Sequence, residues 1–185
     1  MPSVNTPSAC CGDRRAANFI REIDILPNMP DANLEISQKE TYLKAIENSA
    51  GSRQYNSLYV RFKNSGKTKD ILENGEYSCA VFVSSLLFLA GIIDKQRATV
   101  ESLKKFCERS NNWKQINNDK VQAGDVIFWE KKKYKEETEH SHAGFALNGK
   151  EAVSTFYKEK KVIKHSIYER DVDVVYRHLW FAESN

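Results

Sequence analysis

The stretch that most constrains this chain is Cys79-Ala80-Val81-Phe82-Val83-Ser84-Ser85-Leu86-Leu87-Phe88-Leu89, which is apolar nearly all round. An amphipathic helix can lie on a surface, but a helix apolar on every side has to be buried. The run from Ala80 to Ile93 is interrupted by Ser84, Ser85 and Gly91, and it falls short of the roughly 20 residues that span a bilayer. The remainder of the chain must therefore wrap around this helix, which Gly91 should end. With 185 residues, 41% of them hydrophobic, there is material for one sizeable core and one domain.

Helical signals occupy the first half. Ser37-Gln38-Lys39-Glu40 has the spacing of a capping box, and Tyr42, Leu43 and Ile46 continue a helix that should stop near Gly51. Tyr55, Leu58, Tyr59 and Phe62 recur at i, i+3, i+4 and i+7 and predict a second amphipathic helix ending before Gly66. Thr99 is placed to cap a further helix reaching about Arg109, in which Val100, Leu103, Phe106 and Cys107 share one apolar face. Trp113 is expected in a polar loop.

Beyond Asn118 the pattern becomes extended. Val126 to Trp129 reads as a buried strand entered through Gly124-Asp125, and Ala143 to Leu147 as the next. Asn148-Gly149 is a strong hairpin signal. Ala152 to Tyr157, Val162 to Tyr168 and Val172 to Tyr176 complete an expected meander. Helices first and antiparallel strands last predict an α+β domain over 31–185, preceded by a partly irregular arm over 1–30.

Composition removes several function classes. A net charge of +3 is modest, and the lysines at 131–133 and 158–161 fall in predicted turns, so nucleic acid is not an expected partner. Met1 to Cys11 lacks a cationic start followed by an apolar block, and no hydrophobic stretch follows Arg14-Arg15. The expectation is a cytoplasmic protein, or one exported by a non-classical route, and a monomer. Cysteines at 10, 11, 79 and 107 form neither a disulfide framework nor a CxxC zinc pattern, so no metal or cofactor is expected.

Gly75-Glu76-Tyr77-Ser78-Cys79 brings a thiol to the point where a polar turn becomes an apolar helix. Unpartnered N–H groups and the positive end of the helix dipole collect there, and both favour a thiolate. His142 stands at the mouth of a predicted strand, with His140 two residues earlier on the same side. Cys79 and His142 make a candidate nucleophile and base. A third polar group should orient the imidazole, and Ser154, Thr155 and His165 are the candidates. The Cys79 amide is a candidate oxyanion donor, with Ser78 and Tyr77 as neighbours of the substrate.

The order of three anchors is distinctive: Ser78-Cys79, then Ala123-Gly124-Asp125-Val126-Ile127-Phe128, then His142-Ala143-Gly144-Phe145. Over roughly 55–168 it resembles the NlpC/P60 family of papain-like cysteine peptidases. The resemblance implies a nucleophile helix packed on a C-terminal antiparallel sheet, with Cys79 as nucleophile and His142 as base and then acid. It further implies cleavage of peptide bonds, commonly in cell-wall stem peptides, without metal or cofactor. The family's third residue falls near Val153 or Ser154, which selects Ser154 and keeps His165 in reserve. Where the family reads Asp-Cys-Ser-Gly, this chain has Ser78-Cys79-Ala80-Val81, so the groups that hold the polar ends of that peptide are absent. A non-catalytic module of the same fold, binding cell-wall fragments or a protein partner, is the rival expectation.

Overall fold

Val126-Ile127-Phe128-Trp129 is apolar at every position because the strand it forms is covered on both sides. Val126 and Phe128 join one buried cluster with Phe82, Val83, Leu87 and Phe145. Ile127 and Trp129 join another with Val121, Ala152, Ile167 and Val175. None of the four is more than 1% exposed, and burial of each contributes about 1.5–3 kcal/mol.

The computed structural model describes residues 36–133 and 139–181. The elements below lie in one compact unit, Ser37–Asn185. They are α1 (Gln38–Asn48), β1 (Tyr59–Arg61), β2 (Thr68–Asp70), α2 (Cys79–Leu89), α3 (Val100–Arg109), β3 (Trp113–Ile116), β4 (Val126–Lys133), β5 (Glu139–Ala146), β6 (Glu151–Phe156), β7 (Lys161–Ser166) and β8 (Val172–His178). β1 and β2 form a hairpin, and the other six strands form one antiparallel sheet in the order β3-β8-β4-β5-β6-β7. The fold is α+β. The helix α2 packs on β5 and β6, and α1 and α3 pack beside it. The arm over 1–30, with Cys10 and Cys11, lies outside the described residues.

Several expectations are corrected. Residues 55–62 are not a helix, although α1, α2 and α3 start and stop close to their predicted places. Tyr55 is buried but Tyr59 and Phe62 are exposed, so the helical spacing of these aromatics does not mark a buried face. The segment is held instead by Asp70, whose carboxylate accepts from the amides of Leu58, Leu72 and Asn74 at 2.9, 3.1 and 3.0 Å. Local bonds from an Asp side chain compete with helix formation in this way.

Ser37 does precede α1, but its side chain makes no capping bond; Thr99 Oγ1 does cap α3, accepting from Ser102 N. Trp113 begins β3 and is buried against β8 rather than lying in a loop. Lys131–Lys133 extend β4 and are not in a turn. β5 begins at Glu139, so His142 sits inside the strand, opposite Trp129 of β4, not at its mouth. β7 ends at Ser166, ahead of a 3₁₀ turn over Ile167–Glu169. The meander stops at β7, because β8 returns to the free edge of β4.

Gly124-Asp125 makes the corner into β4. Gly124 has φ +90°, and an added Cβ would stand 3.0 Å from both Leu43 and Phe181, so neither backbone nor packing accepts a side chain there. The Asp125 carboxylate is fully buried and takes both Nε and Nη2 of Arg177 on β8 at 2.8 Å, with Gln122 N at 2.9 Å. Burial pushes this carboxyl up, and the Arg177 bonds pull it back.

Candidate active site

Cys79 is the first residue of α2, and the first helical bond runs from Phe82 N to Ser78 O at 2.8 Å. The amides of Cys79 and Ala80 precede that ladder, and together with the amide of Ala143 on β5 they favour the thiolate. Cys79 as a residue is half-buried. Burial nonetheless pushes it above the ordinary thiol range, outweighing the three amides and the nearby charge of Arg170. This corrects the expectation of a depressed thiol pKa: packing against β5 costs more than the helix terminus returns. Cys107 is buried in the core and driven up to about 12 by desolvation.

His142 is the residue before Ala143, so the strand whose amide favours the thiolate also carries an imidazole that lines the same cleft. Its Nε2 stands 2.8 Å from Ser154 Oγ on β6, and the same oxygen stands 2.7 Å from His165 Nε2 on β7. Both ring planes lie near Trp129, with centroids 5.5 Å (His142) and 5.4 Å (His165) away. Trp129 Nε1 donates to Ile167 O at 2.8 Å, which fixes the indole. Gly144 makes this packing possible: an added Cβ would meet Val153 O at 2.5 Å, Ser154 Cβ at 2.9 Å and Trp129 Cη2 at 3.0 Å.

Desolvation lowers His142 to about 3, with Arg170 and His165 adding to the effect. The resting site is therefore a neutral thiol and a neutral imidazole. Arg170 acts on both, since its charge favours a thiolate and opposes an imidazolium. It is held by Nη2 bonds to Glu130 O at 3.0 Å and His140 O at 3.2 Å.

Cys79 and His142 line one cleft of about 1210 Å³, together with Tyr77, His140, Thr155 and Arg170. Tyr77 and His140 meet in a tilted ring contact, 5.4 Å between centroids, and form part of its wall. A second cavity of about 560 Å³ is lined by His142, Ser154 and His165. Ser78, expected beside the substrate, is buried and donates to Gly75 O at 3.0 Å; it does not line the cleft. His178 is also buried and lowered to about 4 by desolvation, but it packs between Trp113 and Trp180 and lines neither cavity.

Sequence reasoning missed Arg170 and Trp129 as parts of the site. Trp129 lay in a quoted strand, and the β4–β5 register that sets it opposite His142 is a tertiary fact. Arg170 follows a 3₁₀ turn far along the chain from His142, and no spacing marks it.

No family model matches the chain, and no curated protein matches it. Among the described residues no helix is long and apolar enough to cross a membrane.

Proposed function

We propose that this protein is a cysteine hydrolase, a peptidase or amidase of NlpC/P60 type, acting through Cys79 and His142. The observation that carries the reading is that both side chains line one open cleft, and that Ala143, the residue next to His142, brings an amide that favours the Cys79 thiolate.

Because both groups rest neutral, the thiolate is formed on demand. As the sulfur attacks a scissile carbonyl, its proton passes to His142. The amides of Cys79, Ala80 and Ala143 stabilise charge as it develops on sulfur. The imidazolium then protonates the leaving amine, and a thioester remains on Cys79. Water, deprotonated by the same imidazole, attacks the thioester and releases the acid and the thiol.

A stem peptide of the cell wall is the substrate class this reading names first. The test is mass spectrometry of purified muropeptides incubated with the protein and with Cys79→Ala. Cleavage by the wild type alone supports the reading, and intact peptides with both proteins remove the cell-wall assignment.

One observation favours a second reading, a non-catalytic binding module on the same fold. Burial opposes ionisation of both Cys79 and His142, as it would in a site that only holds a ligand. Binding of muropeptides without turnover, equal in wild type and Cys79→Ala, supports that alternative.

A further inference from the structure

Across β5, β6 and β7 three side chains form a line whose far end is chemically fixed. His165 Nδ1 stands 2.9 Å from the Ser166 carbonyl oxygen and 3.5 Å from a Glu169 carboxylate oxygen. Neither a carbonyl nor a carboxylate has a proton to give, so Nδ1 of His165 carries one. In a neutral imidazole the other nitrogen, Nε2, is then an acceptor. Among the described residues, the group 2.7 Å from it with a proton to offer is the Ser154 hydroxyl. A hydroxyl donates once, so toward His142 Nε2, at 2.8 Å, Ser154 can only accept. The proton of neutral His142 must therefore sit on Nε2, leaving the lone pair on Nδ1.

We infer that Ser154 and His165 are positioning residues working in series, and that together with the Ser166 carbonyl they lock His142 in its Nε2–H tautomer. Its consequence for turnover rests on the hydrolase reading, because Nδ1 is then the one ring nitrogen able to receive the Cys79 proton. Serine alone is a poor orienter, since its hydroxyl proton can point either way. His165 removes that freedom. Ser154 is 2% exposed, so water has little access to compete for the hydroxyl.

The line also has a reverse. A proton added to His165 Nε2 turns that atom into a donor. Ser154 then accepts from His165 and gives its own proton to His142 Nε2, and His142 must carry its proton on Nδ1. In that state it cannot act as a base. Among the described residues, the charged and titratable groups that face His165 are Glu169, His142 and Arg170, with Lys132, Lys133 and Lys158 around the same cavity.

The test is long-range ¹H–¹⁵N correlation NMR on the ¹⁵N-labelled full chain, which reads each histidine's tautomer directly. The expected wild-type result near neutral pH is proton on Nε2 for His142 and on Nδ1 for His165. In Ser154→Ala and His165→Phe the single His142 tautomer should be lost, with unfolding curves confirming that each variant is folded. A wild-type His142 protonated on Nδ1, or one that keeps a single Nε2–H tautomer in both folded variants, overturns the inference. Both results are independent of turnover, so failure of muropeptide cleavage bears on the hydrolase reading alone.

Discussion

Two buried polar networks hold this sheet, and they are built on opposite principles. At one end, Asp125 and Arg177 form a charged pair closed on itself, with both carboxylate oxygens engaged. At the other, His142, Ser154 and His165 form a chain of hydrogen bonds with no carboxylate between them, which opens into a cleft at His142. A closed pair with compensated charge ties β4 to β8 and leaves nothing to react with. An open chain leaves one nitrogen available and can pass a proton. The Gly-Asp corner therefore belongs to structure and, on the proposed hydrolase reading, the histidine chain to chemistry, although both use side chains that are costly to bury.

The comparison can be broken by exchanging the expected effects. Cys79→Ala should abolish muropeptide cleavage, a loss of at least about a thousandfold in kcat/KM, while chemical denaturation finds stability within about 1 kcal/mol of wild type. Arg177→Met should do the reverse. It leaves a buried carboxylate uncompensated, costs about 3–5 kcal/mol in urea unfolding, and affects turnover only through the folded fraction. Gly144→Ala bridges the two regions, because its methyl group strikes the β6 backbone and the Ser154 side chain. It should cost about 1–3 kcal/mol and lower kcat/KM in the molecules that remain folded.

The smallest effect is one of pH. His142 and His178 titrate at about 3 and about 4 in the folded chain, against about 6.5 when unfolded. Above pH 6.5 both states are neutral and these groups change nothing. Below it the unfolded chain takes up protons first, so stability falls as pH drops from 6.5 toward 4. Each histidine should account for about 2 kcal/mol by pH 5, seen as a lower urea midpoint that His178→Phe partly relieves. Unchanged midpoints over that range would show that neither ring is held neutral.

How much of this was legible in the sequence follows the range of the forces involved. The α2 helix, the two-sided β4 strand and the Asn148-Gly149 hairpin depend on neighbours within a few residues, and their signals were local. The β1–β2 hairpin was not legible. Its strands have three residues each, too short to show a period, and its hold comes from the Asp70 side chain. The return of β8 to β4 depends on pairing across about 45 residues.

At the site, Cys79 and His142 carried local marks, a helix start and an apolar strand. Ser154 and His165 could be named only as competitors for one role. β6 and β7 are adjacent strands, and their register pairs Ala152 with His165 and Ser154 with Ile163, which sets the two on a diagonal that lets them act together. The thiol pKa was misjudged because a helix terminus is visible in sequence and desolvation by a neighbouring strand is not.

The most direct test of the Cys79–His142 pair is alkylation by iodoacetamide, read site by site by peptide mapping in wild type and in His142→Ala. At pH 7 the account predicts Cys79 modified and Cys107 protected. Loss of the base should slow Cys79 by about a hundredfold. Equal Cys79 rates in the two folded proteins would contradict the claim that His142 takes its proton.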